Sequence, residues 1–327
     1  MSLRYCIMQN LNTICLVTGC SGFVGSHLTQ RLLDRGFYVV GVDNFFSGHR
    51  RNMSAFAEHP NFTFFERSIE EANLLLDLKE RFSNIQHVFH LAAVVSVPYS
   101  IDHSKETMAI NCDSTMRLHE FSRKLGLLSF TFAGSAAEYG EDSRIPLAEE
   151  YACKKTLQLS PYGQAKYQAT AAIEASGFGT SLRFFNIYGP RQDPSSPYSG
   201  VISRFISQGL QNASHTIFGD GLQTRDFIHV ADAVDAYLLA AGIEGGKVLS
   251  GVFNVATGKA VTIKNLAELI ANMTGNGQNP TFLQSRTGDI KHSLALVDKI
   301  NKEGFEPKVS LINGLVETVA WYKENIT

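Results

Sequence analysis

Tyr162 and Lys166 stand four residues apart in SPYGQAK, a spacing that puts both on one face of a helix entered by Ser160 and Pro161. A tyrosine phenol with an ordinary pKa near 10 is a poor base at neutral pH. A neighbouring ammonium, here Lys166, favours the phenolate, and the positive charge of an oxidised nicotinamide ring would add to it. Ser135 follows the β-prone run Ser129 to Ala133, at the strand end where ligands collect in doubly wound sheets. Its hydroxyl can bond the substrate oxygen that loses its proton. Three such groups suit oxidation of an alcohol, with a cofactor taking the hydride. Other chemistries find less support, since the ten histidines show no HExxH spacing and no GxSxG elbow is present.

A cofactor site is signalled upstream. Gly19, Gly22 and Gly25 lie in TGCSGFVG, directly after the apolar run Ile14 to Thr18 and before the helical pattern Ser26 to Arg35. Glycines there allow a tight turn, close backbone approach to a pyrophosphate and close helix packing, with the phosphates at the positive helix end. Asp43 ends the next apolar run, VVGVDN, where a carboxylate can bind ribose hydroxyls and repel a 2'-phosphate. NAD is therefore expected rather than NADP, with Arg50 and Arg51 read as solvated surface charges.

The elements that must hold these groups alternate. Strand patterns at Ile14 to Thr18, Tyr38 to Val42, Phe62 to Phe65, His87 to Leu91, Ser129 to Ala133 and Ser181 to Phe185 are separated mostly by helical stretches. That order predicts an α/β fold with a Rossmann-type doubly wound parallel sheet. From Asn186 to about Thr224 the pattern loosens into a Pro- and Gly-rich passage, then strand character returns near Phe227. Helices are expected at Val261 to Met273, introduced by Thr262, and at Ile312 to Tyr322. The expected organisation is a cofactor domain from residues 1–185 and 225–252, with a smaller, discontinuous α/β substrate lobe from residues 186–224 and 253–327.

Composition narrows the class of partner. The 327-residue chain is 44% hydrophobic, enough for a sizeable core, and its net charge of -2 leaves no basic stripe for nucleic acid or a membrane surface. Its five cysteines lack CxxC spacing and read as reduced thiols, so a cytoplasmic location is expected. No run approaches a membrane span, and Met1 to Asn12 lacks the order of a secretory signal.

The ordered segments TGCSGFVG, VDN, HLAA, GSAAEYG, YGQAK and RFFNIYGPRQDP resemble the extended short-chain dehydrogenase/reductase superfamily, in its nucleotide-sugar epimerase branch. GDGLQTRDFIHVAD and RTGDIKHS extend the resemblance towards the C-terminus. It implies Tyr162 as base, Lys166 as its electrostatic partner and cofactor ligand, and Ser135 as hydroxyl partner. It implies cofactor contacts from Gly19, Gly22, Phe23, Val24, Gly25, Asp43, Asn44, Ser68, Ile69, Leu91, Ala92, Ala93 and Asn111, besides Tyr162 and Lys166. Substrate contacts are implied for Ser96, Ser135, Asn186, Val201 and Ser293, for the arginines Arg225 and Arg286 on the diphosphate, and for Asp289 on the ribose. The reaction implied is C4 oxidation of a UDP-sugar to a 4-keto intermediate, followed by hydride return to the opposite face, in a homodimer formed through two helices of the cofactor domain.

Within that superfamily, dehydratases carry an Asp-Glu pair where this chain has Ala136 and Ala137, and decarboxylases place a Glu where it has Ala137, with Glu138 one step displaced. Epimerisation is the reaction that asks least of this loop. AAVVSVPYSI and GPRQDP resemble epimerases of UDP-N-acetylhexosamines, and a small Ser293 would leave room for an N-acetyl group. Gly134, Tyr99, Ser203 and Ser68 depart from the usual Ser, Arg, Pro and Asp. Net oxidation or reduction of a nucleotide sugar is the alternative enzyme, and an NAD-sensing regulator is the alternative without catalysis.

Overall fold

The computed structural model describes residues 13–194, 200–243, 245–285 and 290–325. Its β-branched and aromatic runs form β1 (Ile14–Thr18), β2 (Tyr38–Asp43), β3 (Phe62–Glu66), β4 (Ile85–His90), β5 (Ser129–Ser135) and β6 (Thr180–Phe184), within two residues of the predicted bounds. Further along lie β7 (Asn186–Tyr188), β8 (Thr216–Phe218), β9 (Thr224–His229), β10 (Gly251–Val255), β11 (Ala260–Thr262) and β12 (Thr281–Leu283). The main sheet has the order β10-β6-β5-β4-β1-β2-β3, with β1 parallel to both β2 and β4. Strand order reverses between β1 and β4, leaving a crevice beyond their C-terminal ends, as a Rossmann-type doubly wound sheet requires.

The chain folds into two compact units. The first comprises the residues to Glu138, Ser160–Arg183 and Val234–Phe253. Its core packs Leu16, Val40, Val88, Phe130 and Phe132 of the sheet against Leu118, Ala169 and Ile173 of flanking helices. The Phe23–Asp34 helix begins three residues before the apolar periodicity does, so the last glycine of the turn already belongs to its first turn.

The Pro161–Ser176 helix forms as the sequence predicts. The Ser160 hydroxyl accepts a hydrogen bond from the Gly163 N–H at 3.1 Å, Pro161 fills the first turn, and Gly177 ends the helix at φ 69°. It buries Ala165, Lys166, Ala169, Thr170 and Ile173, so the lysine lies on the packed face. A π-helical turn, Ala109–Ser114, interrupts the helices Ser104–Met108 and Thr115–Lys124 and carries the buried Asn111.

The second unit comprises Tyr139–Leu159, Phe184–Ala233 and Asn254–Thr327. Residues 139–159 and 225–233 therefore pack outside the lobe boundaries drawn from sequence. The Tyr139 hydroxyl donates to Asn254 Oδ1 at 2.5 Å, and β9 pairs with β7 and β11, contacts that no local pattern announces. Tyr188, Phe205, Ile217, Leu266 and Leu315 are core residues of this unit.

Asp226 joins its pieces. The buried carboxylate accepts hydrogen bonds from Thr257 N (3.0 Å), Thr257 Oγ1 (2.7 Å), Gly258 N (3.0 Å) and Ala295 N (3.4 Å). Burial pushes its pKa up, and those donors hold it down. Replacing Asp226 by Ala leaves several buried donors unsatisfied, so a stability loss of roughly 2–4 kcal/mol is expected in urea denaturation. A loss below the error of that measurement would contradict the role.

Candidate active site

The crevice at the strand-order reversal collects the expected cofactor residues. Gly19, Asp43, Asn44, Ser68, Ile69, Leu91, Ala92 and Ala93 line one cleft of the first unit, together with Arg67 and Ile110, which sequence reasoning did not select. Gly19 adopts φ 74°, and a Cβ there would lie 2.8 Å from the Ala92 nitrogen. A Cβ on Gly25 would fall 1.9 Å from the Gly19 carbonyl oxygen, so only glycine lets the helix seat against the turn. Gly22 caps the helix, and Phe23 and Val24 open it, where the first N–H groups have no carbonyl one turn earlier.

Asp43 is part of the same assembly. One carboxylate oxygen accepts from Ser21 N at 3.0 Å and the other from Phe45 N at 2.8 Å, which orients the acid beside the glycine turn. Ser68 Oγ donates to the Glu70 carboxylate at 3.2 Å, so this hydroxyl has a local role in its turn. Asn111 is not among the cleft-lining residues. Its side-chain amide accepts from Val94 N and donates to Val94 O, both at 2.8 Å, so it fixes the chain that follows Ala93. Together these features form a cleft of glycines, free main-chain N–H groups and a carboxylate, the groups that could hold a dinucleotide.

Ser135, Tyr162 and Lys166 converge in the same unit. β5 delivers Ser135, and the Pro161–Ser176 helix delivers the other two. Removal from water pushes the Tyr162 phenol above its ordinary value, the hydrogen bond with Ser135 pulls it down, and the Glu138 carboxylate pushes it up. Lys166 Nζ donates to the Ala133 carbonyl at 2.8 Å and lies 4.5 Å from the centroid of Phe132 and 5.9 Å from that of Tyr162. Burial lowers the ammonium to a pKa of about 8, against a raising effect from Glu138.

The neighbouring histidine is neutral. His90 is lowered to about 3, first by burial and then by the Lys166 charge. Its ring nitrogens bond Thr18 Oγ1 at 2.7 Å and Thr115 Oγ1 at 2.8 Å. Ser96 is buried, and its hydroxyl accepts from Tyr99 N at 2.9 Å, capping the helix Val97–Asp102. Tyr99 stacks on His103 at 3.9 Å and donates to Glu106 at 2.8 Å.

A cleft of the second unit brings together three expected substrate residues, Asn186, Val201 and Arg225, with Arg204, Phe205 and Thr216–Phe218. Arg204 was missed in sequence reasoning, because a lone arginine on the Val201–Leu210 helix has no distinguishing local pattern. Asn186 Nδ2 donates to Asp226 O at 2.9 Å, and Arg225 Nη1 to Thr224 O at 2.9 Å. Ser293 is buried, with its N–H donating to Thr224 O at 3.1 Å, and is not among the residues lining this cleft. Arg286 and Asp289 lie outside the described residues.

The model of the NAD dependent epimerase/dehydratase family matches residues 15–256. The chain belongs to that family. NAD is accordingly its cofactor. The UDP-glucose 4-epimerase of Mycolicibacterium smegmatis is 33% identical over 319 residues, covering 94% of this chain and 98% of that protein. The structure of UDP-glucose 4-epimerase from Thermotoga maritima, in complex with UDP-glucose, is 34% identical with a TM-score of 0.87, over 96% of this chain and all of that one. That of UDP-N-acetylglucosamine 4-epimerase from Methanobrevibacter ruminantium, in complex with UDP-N-acetylmuramic acid, is 35% identical with a TM-score of 0.88, over 96% and 99% of the two chains.

The buried ammonium makes a prediction about stability. Lys166 has a pKa of about 8 when folded and an ordinary value of 10.5 when the chain is unfolded. Between those pH values the unfolded state binds more protons, so stability rises with pH. Relative to Lys166→Met, the native chain should gain roughly 2 kcal/mol in denaturant titrations between pH 8 and pH 10. A difference that stays constant with pH would refute the buried, charged assignment.

Proposed function

We propose that the chain is an NAD-dependent nucleotide-sugar 4-epimerase acting on UDP-hexoses or UDP-N-acetylhexosamines. One observation carries this reading. Ser135, Tyr162 and Lys166 come together in the unit that holds the dinucleotide cradle, while Ala136 and Ala137 supply no acid or base for elimination or decarboxylation. Bound NAD supplies the hydride acceptor at C4 and the hydride that is returned. Ser135 orients the substrate 4-hydroxyl, Tyr162 accepts its proton, and Lys166 stabilises the phenolate that must exist beforehand.

The 4-keto sugar must present its other face before the hydride returns. Residues that grip the diphosphate and leave the hexose free to turn suit that requirement. Arg225, Arg204 and Asn186 are such donors, and a guanidinium fork matches phosphate oxygens. Arg286, Asp289, Ser96, Val201 and Ser293 complete the substrate contacts in this reading. Proton return from Tyr162 regenerates the hydroxyl, and no net redox change remains.

The enzyme acts in the cytoplasm as a homodimer. The free thiols of Cys15, Cys20, Cys112 and Cys153 fit a reducing compartment, and the exposed Val97 and Ile101 offer apolar area to a partner subunit. Sedimentation equilibrium should return twice the 36.0 kDa chain mass; a monomer at micromolar concentration would reject the dimer.

Proton NMR of the anomeric signals tests the reaction, using UDP-glucose and UDP-N-acetylglucosamine without added cofactor. The 4-epimer should accumulate to equilibrium without build-up of NADH. Tyr162→Phe should lower kcat by about 10²–10⁴-fold while NAD remains bound. Stoichiometric NADH would instead identify a net dehydrogenase, and NAD binding with no turnover of any nucleotide sugar would favour a regulator.

A further inference from the structure

Glu138 is a buried acid that the reaction described above does not use. It lies in the 3-10 turn Ala136–Tyr139 directly after β5 and is 0% exposed. One oxygen accepts from the Ser135 N–H at 2.9 Å and from Thr170 Oγ1 at 3.1 Å, and the other accepts from Arg183 Nε at 2.6 Å. The Arg183 side chain is itself only 2% exposed. Thr170 lies four residues beyond Lys166, on the packed face of the same helix, and its hydroxyl also bonds Ser181 at 2.7 Å. One carboxylate thus links β5, β6 and the Pro161–Ser176 helix.

The neighbouring glycine fits this arrangement. A Cβ on Gly134 would lie 2.7 Å from Ser181 Oγ and 3.0 Å from Glu138 Oε1. The Glu138 carboxylate and the Ser181 hydroxyl, both bonded to Thr170, fill the volume that a side chain at position 134 would occupy. Glycine at position 134 is thus what leaves room for the inward-facing Glu138 carboxylate.

We propose that Glu138, locked on Arg183, is a positioning residue of the reaction: it fixes the Ser135 main chain and sets a carboxylate near the Tyr162–Lys166 pair. It does not exchange protons with substrate, because Arg183 and two other donors occupy its carboxylate in a closed environment. Its charge raises the pKa values of both Tyr162 and Lys166, keeping the ammonium protonated at the expense of a less acidic phenol. The proposal rests on the epimerase reading.

The test is Glu138→Gln, which retains an acceptor for Ser135 and removes the charge. Tyr162 ionisation is read without turnover, from phenolate absorbance as the difference between each protein and its Tyr162→Phe counterpart. The titration should move to lower pH by on the order of one unit, and the acid limb of kcat/KM should move with it. The kcat should fall about tenfold or more, with KM within about twofold. An unmoved titration, or an unmoved kcat, overturns the proposal. Glu138→Asp keeps the charge and shortens the reach, so it should retain the native titration while losing kcat; full activity in that variant also overturns it. If neither variant folds, Glu138 belongs to the fold and the proposal fails. A shifted titration without epimerisation of either UDP-sugar would uphold the effect of Glu138 on Tyr162 and reject the substrate reading.

Discussion

An ammonium group held out of water is the constraint on which the first unit turns. The Nζ of Lys166 has to remain close to Tyr162, yet a buried cation is costly unless its protons find acceptors. The Ala133 carbonyl near the end of β5 provides one, and the Phe132 ring offers its negative face. β5 therefore has to lie beside the Pro161–Ser176 helix at close range, which the small side chains of Ala165 and Ala169 permit. A second buried cation could not share this space. His90 stays neutral chiefly because it is buried and secondly because of the Lys166 charge, with both ring nitrogens tied to threonine hydroxyls.

The cofactor cradle is constrained differently, by backbone approach. Gly19 comes close to Ala92, and Gly25 lets the helix meet the turn, so the main-chain N–H groups that the proposed pyrophosphate site needs stay open. Asp43 takes hydrogen bonds from Ser21 and Phe45, so the acid and the glycine turn form one hydrogen-bonded object. Asn111 extends the logic to the other wall. The π-helical turn that carries it places its amide against Val94, next to the cleft-lining Leu91 to Ala93.

Features set by local physics were legible in the sequence. Alternating apolar runs predicted β1 to β6, because strand character here is carried by short runs of β-branched and aromatic residues local in the chain. Ser160, Pro161 and the four-residue spacing placed Tyr162 and Lys166 correctly on one helix. What stayed hidden depends on residues distant in sequence. Glu138 meets Arg183 and Tyr139 meets Asn254 across long stretches of chain, so nothing near either residue announces its partner. Asn111 reads as a structural or cofactor-side polar residue, and only the fold shows its amide bonded to Val94; Arg204 joins Arg225 only after the second unit has folded.

The displaced acid in GSAAEYG shows how one step along the chain changes its chemistry. A 3-10 turn has three residues per turn, so adjacent side chains point about 120° apart. Ala136 and Ala137 keep part of their surface open, and Ala137 lies against Gly163, next to Tyr162. An acid at either position would stand on the side from which the catalytic helix is approached. Glu138 instead turns inward, where it meets a guanidinium and becomes a fixed charge rather than a proton carrier. The loop thus gains an acid without gaining a second acid or base for the substrate. A site that must oxidise a carbon and then restore it is better served by that arrangement, since a second acid or base beside a 4-keto sugar would open routes to elimination.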